Sequence, residues 1–278
     1  MKLGDLEFHI ISDGHVLLDG GAMFGVVPRP LWEKKSAPDS RNRITLSMNC
    51  LLIRSGGKRI LVETGAGGKM EPKLRAIYGL DGPSLAQGLQ KVDVRPEDID
   101  VVINTHLHFD HCGGNTRVER DKVVPAFPNA RYFVQRGEFA HAMHPNERDH
   151  ASYFRENYEP LESAGMISLL DGDSEIATGV EVIVVPGHTA HMQCVKLTGG
   201  GKTAFFFADL VPTIAHLPLP WIMGYDLYPV TTLENKKRWI PQVVKDGWLA
   251  LFVHDPSVPA AHLRKRDGKW DAEPVTVD

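Results

Sequence analysis

Cysteine is scarce in this chain of 278 residues. Cys50, Cys112 and Cys194 lie far apart and form no C-x-x-C pair. A disulfide framework is therefore not expected, and a reducing, cytoplasmic compartment is. No uninterrupted apolar run approaches the ~20 residues that span a bilayer, so a membrane partner is not expected either. The opening stretch, residues 1–8, lacks an apolar core of the kind a signal peptide needs. Basic residues are not in excess: 31 Lys and Arg stand against 35 Asp and Glu, a net charge of −4. That argues against a nucleic-acid phosphate backbone as the main partner. Low-complexity tracts and short repeats are absent, and the length suits one domain over residues 1–278.

Histidine is what the chain has in quantity, with 13 residues. Three of them fall in Thr105-His106-Leu107-His108-Phe109-Asp110-His111-Cys112-Gly113-Gly114, directly after the apolar run Ile99-Asp100-Val101-Val102-Ile103. His106 and His108 are two apart, so extended backbone would point both rings to one side. Asp110 and His111 follow where the chain turns. Imidazoles with a carboxylate suit zinc or another divalent first-row metal. A lone histidine here would read as a polar surface loop; this grouping reads as the core of a metal site.

Taken in order, residues 6–12 read as a strand ended by Asp13-Gly14, with 16–18 as its return. Residues 19–38 are too rich in Gly and Pro for a regular element, yet too apolar to lie freely in water. They should cover a site mouth, a partner subunit or their own core, and Met23, Phe24 and Trp32 are candidates for an acyl pocket or a homodimer contact. Residues 43–54 suit a buried strand, Ser55-Gly56-Gly57-Lys58 a hairpin turn, and 59–63 the return strand. A short helix is expected over 83–91 with Leu85 and Leu89 inward, and a strand over 99–104. Residues 130–135 read as a strand, and 136–165 as helix broken by Pro145 and Pro160. His141 and His144 in that region read as polar helix surface or pocket wall, since no acidic partner sits in register. Strands follow over 167–170, 180–185, 192–197 and 203–208. Thr231 or Thr232 should cap a helix running to Lys245. Residues 248–253 read as the last strand, and the final residues as polar and peripheral.

Seven potential ligands come immediately after apolar strands: His106, His108, Asp110 and His111, then His188, Asp209 and His254. Strand ends at one rim of a sheet converge. Three imidazoles make one metal site, two imidazoles and a carboxylate a second, and one carboxylate remains to bridge, as in a two-metal hydrolytic centre.

The order T-H-x-H-x-D-H, G-H, a strand-end Asp and a strand-end His resembles the metallo-β-lactamase superfamily over nearly the whole chain. That resemblance implies an α/β fold of the αββα type, two facing mixed sheets flanked by helices with the site at one rim. It implies two divalent ions, zinc first, with Fe, Co or Mn as alternatives. His106, His108 and His188 would hold one ion, Asp110, His111 and His254 the other, and Asp209 would bridge. Glu63-Thr64-Gly65 stands where the family has Asp-Thr-Gly, and it would support the site without ligating.

Within the superfamily, H-L-H-F-D-H-C-G-G is similar to the quorum-quenching N-acyl-homoserine lactonases. The loops around Phe24 and Tyr225 look like a broader branch that also holds methyl-parathion-hydrolase-like enzymes. The resemblance implies a hydroxide shared by the metals attacking a lactone or ester carbonyl, with Asp110 orienting it and shuttling its proton. Tyr225 would hydrogen-bond the substrate carbonyl or else pack in the core. Cys112 reads as a buried packing residue ahead of a thiolate ligand, and His191 and His216 as polar loop residues ahead of hydrogen-bond donors behind the ligands. Organophosphate or aryl-ester hydrolysis is the alternative, and a thioesterase a further one, although little chain follows His254 to form a glutathione-binding region. A flavodiiron protein would have Glu at position 108.

Overall fold

Residues 50–53, Cys50-Leu51-Leu52-Ile53, are apolar on both parities, and such a stretch is stable only with both faces covered. The computed structural model describes residues 1–277 and supplies that cover. The first half of the chain forms β1 (Lys2–Leu3), β2 (Leu6–Asp19), β3 (Arg43–Ser55), β4 (Lys58–Val62) and β5 (Val101–Ile103). A two-stranded ribbon, β6 (Thr116–Glu119) and β7 (Lys122–Pro125), follows, then β8 (Arg131–Gln135) and β9 (Ile167–Leu170). Its helices are α1 (Gly20–Phe24), α2 (Arg29–Trp32), α3 (Pro72–Tyr78), α4 (Leu85–Lys91), α5 (Phe109–Cys112), α6 (Arg136–Met143) and α7 (Glu159–Ser163). The second half forms β10 (Ser174–Ala177), β11 (Val180–Val184), β12 (Gln193–Gly199), β13 (Lys202–Phe206), α8 (Pro229–Lys245), β14 (Leu249–Leu251), β15 (Ala260–Arg266) and β16 (Lys269–Pro274).

Two seven-stranded sheets result, ordered β1-β2-β3-β4-β5-β8-β9 and β10-β11-β12-β13-β14-β15-β16. Both are mixed: β4, β5, β8 and β9 run parallel in the first, and β13 and β14 in the second. One core joins Phe8, Leu51, Ile53 and Ile103 of the first sheet to Val195, Phe206 and Leu251 of the second. The alternate residues of β3, Cys50 and Leu52, pack instead with Leu85 and Leu89 of α4. On the far side, Trp239 of α8 stacks on Phe205 at 5.0 Å. Helices thus lie outside both sheets, as the sequence led us to expect. Leu89 is fully buried, so Leu89→Ala should lower the unfolding free energy by about 2–5 kcal/mol, read from urea denaturation.

Several local expectations are corrected. Residues 6–19 form one strand, and Asp13-Gly14 is a bulge where the register with β3 shifts between Ser12 and His15. Bulges and turns draw on the same residue types, so the sequence pattern is ambiguous there. The bulge has a purpose: Asp13 accepts from the backbone N–H groups of Leu85 at 2.7 Å and Gly67 at 2.9 Å. Its side chain also explains Gly65, whose φ is +67° and where a Cβ would lie 2.3 Å from that of Asp13.

Residues 19–38 contain two short helices, with Asp19 accepting from Ala22 N–H at 2.8 Å to cap the first. Met23, Phe24 and Trp32 turn inward against Ile44, Leu46 and Met48, leaving Val26 and Leu31 exposed. Pro160 opens α7, since a residue without an N–H loses nothing in the first helical turn. Pro229 does the same for α8, so neither Thr231 nor Thr232 is its cap. The final residues are not peripheral: β15 and β16 extend the second sheet and bury Ala260 and Ala261. Their outer face carries Arg264 paired with Asp271 and Glu273, and that charge hid the strand pattern. Among the described residues no helix is long and apolar enough to cross a membrane.

Candidate metal centre

The ends of β5, β11, β13 and β14 open on one rim, and the seven histidines and aspartates that follow them meet there. All seven are buried. His106 and His108 lie in the bend after β5, and Asp110 and His111 on the single turn of α5. His188 follows β11, Asp209 follows β13 and His254 follows β14. Three triplets each bring one donor atom per residue within 4.8 Å: His106, His108 and His188; Asp110, His111 and His254; and His106, His111 and Asp209.

The distances favour a cation over a hydrogen-bond network. His108 Nδ1 stands 3.1 Å from His106 Nε2 and 3.0 Å from His188 Nε2. His188 donates its other N–H to Asp226 Oδ1 at 2.9 Å, and His254 donates Nδ1–H to the Ser47 carbonyl at 2.8 Å. Their Nε2 lone pairs therefore face the site. One shared proton cannot satisfy three converging ring nitrogens. An ion can: nitrogens about 2.0–2.1 Å from a tetrahedral metal stand roughly 3.3 Å apart. Asp209 spans the two groups, Oδ1 lying 3.5 Å from His111 and 3.3 Å from His254, and Oδ2 3.3 Å from His188. Asp209 Oδ1 and His108 Nε2 are buried without a well-formed hydrogen bond. The donor set fits two divalent ions.

Electrostatics agree. Burial holds the His106 and His108 imidazoles well below their usual pKa, hence neutral, as a metal ligand must be. Burial also opposes a charge on His111, but the Asp209 and Asp110 carboxylates outweigh it and raise that imidazole well above its usual value. Asp209 is held well below the carboxylate range despite its burial by His111, His254 and His188. The negative potential of these carboxylates is what a divalent cation would answer.

The surroundings fix the donors in place. Glu63 accepts from Thr105 N–H at 2.9 Å, and its other oxygen lies 3.7 Å from His111 Nδ1. Thr64 N–H donates to the His111 carbonyl at 2.8 Å, tying α5 to the end of β4. The Glu63-Thr64-Gly65 segment thus supports the ligands from behind. Glu63 and Ala208, the residue before Asp209, have φ of +64° and +47°, a strained backbone of the kind that collects at functional sites.

Cys112 belongs to none of the triplets; its buried thiol points to the Leu107 carbonyl at 3.3 Å. His191 is exposed. His216 is not a polar loop residue: it is buried, stacked on Phe24 at 4.7 Å, and donates Nε2–H to the Met23 carbonyl at 2.9 Å. Burial lowers its pKa to about 3. His144 is exposed, whereas His141 does have an acidic partner, Asp149, at 2.5 Å. That partner lies beyond the helix, where helical register could not reveal it.

A cavity of about 290 Å³ opens on the site, with His108, Asp110, His188, Asp209 and His254 in its lining. Leu18, Met23, Phe109, Met223 and Leu227 give it apolar walls, and Tyr78 and Tyr225 also face it. Burial, with Asp19, Tyr78 and Asp110 adding to it, pushes the Tyr225 phenol up to about 12, so it stays a hydrogen-bond donor. Phe24 and Trp32 do not line this cavity; only Met23 of that trio does. A second cavity of about 280 Å³ lies against Leu85, Leu89 and Phe127 and contains none of the seven donors. Size does not distinguish the two; chemistry does.

Lys236 of α8 carries no pattern that reading the sequence could use. Its buried ammonium donates to the Pro218 and Trp221 carbonyls, each at 2.8 Å, and so anchors the loop bearing Met223, Tyr225 and Asp226. Burial lowers its pKa to about 7. Between about pH 7 and the ordinary lysine value the unfolded chain holds more protons at this position than the folded one. Its contribution to stability therefore rises with pH across that window. In urea titrations from pH 7 to 10, wild type should gain stability relative to Lys236→Met; a constant difference would refute this.

The sequence pattern of the Metallo-beta-lactamase superfamily matches residues 44–254. An N-acyl homoserine lactonase of Bacillus cereus is 29% identical over 241 residues, covering 77% of this chain and 83% of that protein. A probable metal-dependent hydrolase from Staphylococcus aureus superposes with a TM-score of 0.92 at 30% identity, covering 100% of both chains. AidC, a dizinc quorum-quenching lactonase in complex with a product, superposes with a TM-score of 0.81 at 21% identity, covering 100% of this chain and 97% of that one. At that identity the likeness speaks for the fold alone.

Proposed function

Since the chain belongs to the metallo-β-lactamase superfamily, we propose that this metal-dependent hydrolase opens lactone rings at a dinuclear centre, N-acyl homoserine lactones being the leading substrates. The observation that carries the reading is Asp209, whose two oxygens face different groups of buried histidines. His106, His108 and His188 would hold one ion, Asp110, His111 and His254 the other, with Asp209 between. Zinc suits this imidazole and carboxylate set. When bound, the two ions supply Lewis acidity toward the carbonyl and bring the pKa of water toward ~7.

The protein's own groups do the rest. Asp110 lines the cavity with Oδ2 3.6 Å from His254 Nε2. From there its carboxylate orients the attacking water and carries a proton to the departing alkoxide oxygen. The Tyr225 phenol donates to an oxygen of the lactone. The apolar walls from Leu18 to Leu227 accept an acyl chain and keep bulk water from the reacting carbonyl. The 29% identity to a lactonase supports this choice of substrate class.

Metal analysis joined to a substrate panel tests the reading. About two metals per chain and lactone-dependent acid release are expected, with activity abolished by a chelator and restored by Zn²⁺. A kcat/KM higher for paraoxon-like phosphotriesters or aryl esters than for any lactone would overturn the substrate assignment. Fewer than one ion per chain after metal-supplemented purification would overturn the centre itself.

A further inference from the structure

Glu138, on α6, is buried to 1% exposure and has no place in the chemistry above. Its Oε1 accepts from the Leu107 backbone N–H at 3.1 Å and from the Tyr153 hydroxyl at 2.9 Å. Its Oε2 accepts from the Thr189 hydroxyl at 2.6 Å. Leu107 lies between His106 and His108, and Thr189 follows His188. One carboxylate therefore grips the chain beside all three imidazoles of a single triplet, and it does so across the two halves of the molecule. Tyr153 adds a fourth link, for its ring stands edge-on to that of His108 with centroids 4.7 Å apart.

The charge matters as much as the reach. Among the described residues no Lys or Arg lies within ion-pair distance of Glu138. A buried carboxylate needs either a counter-charge or a full set of donors. Glu138 has the donors, and behind it lie three imidazoles that are uncharged as ligands. Glu63 lies between the two groups, holding Thr105 beside His106 and facing His111 at 3.7 Å.

We propose that Glu138 is the positioning residue of the His106, His108 and His188 metal site, presetting those three rings and supplying the buried negative charge that holds a cation there. It touches neither ion nor substrate. This inference rests on the ligand assignment proposed above. A loss of an outer partner of this kind costs about 10–100-fold in metal affinity. A residue that merely docks α6 would alter folding stability and leave metal affinity alone.

The test is a Zn²⁺ titration of metal-free protein against a competing chromophoric chelator, with urea unfolding of the metal-free form run alongside. Wild type must first take up two Zn²⁺; a smaller number would sink the ligand assignment itself, before any variant is compared. His188→Ala and His254→Ala then identify the two binding steps. In Glu138→Gln, which keeps the shape and removes the charge, the step lost in His188→Ala should weaken by about 10–100-fold. The step lost in His254→Ala should stay put. Thr189→Val, which removes one hydrogen bond and leaves the carboxylate, should weaken the same step to a smaller extent, and it carries the test if Glu138→Gln does not fold. Unchanged affinities, equal weakening of both steps, or weakening of the His254 step would each overturn the proposal.

Discussion

Asp209→Ala should lower kcat/KM for lactone opening by at least about 100-fold and leave the protein with fewer than two tightly held ions. Removing even an outer partner of a ligand costs about that much, and Asp209 is placed to be a ligand shared by two ions. Its oxygens lie 3.3 Å from His254 on one side and 3.3 Å from His188 on the other. Alanine removes the carboxylate that reaches His111, His188 and His254 together, and Asp110 then remains beside only His111 and His254. Asp209→Asn keeps the shape and one acceptor, and should retain more metal than alanine does. Steady-state kinetics with metal analysis on the same preparations decide the matter. An Asp209→Ala protein with full metal and full activity would show that the two groups share nothing.

Asp110→Asn should act differently. Its carboxylate faces the cavity and lies farther from its neighbours, 3.6 Å from His254 and 3.9 Å from His111. Asparagine can still present an oxygen to an ion but cannot take up and release a proton. The expected result is a fall in kcat of about 10²–10⁴-fold, the usual worth of a positioned acid or base, with KM little changed. Metal content should remain close to two. Equal loss of metal and rate would instead make Asp110 a ligand and nothing more.

These two aspartates were legible in the chain, and so were the five histidines, for one reason. Each follows an apolar strand, and strand ends at a rim converge whatever the details between them. The sheets were legible likewise, because hydrophobic runs such as residues 43–54 have a length and parity that helices do not share. Asp226, Glu138 and Lys236 were not legible in their roles. Their side-chain hydrogen bonds reach residues 15 to 51 positions away, and nothing next to them in the chain marks the partners. His216 was misread because an imidazole in a loop carries no sign of burial until Phe24 and Met23 are seen against it. The hairpin of β15 and β16 was missed because only one of its faces is apolar, and short alternating strands with charged outer faces resemble loops.

The two sheets are also consecutive in the chain. The first ends at Leu170 and the second begins at Ser174, with a short turn between. Yet every triplet takes two residues from the first sheet and one from the second. The rim is stitched by main chain as well, Ser47 N–H donating to the His254 carbonyl at 3.1 Å and Asn49 N–H to that of Val253 at 2.8 Å. Cut at that turn, the molecule would become two fragments, neither with a complete ligand set. Catalysis would then report their reunion, which makes the turn between β9 and β10 a natural place to split the enzyme into a sensor of proximity.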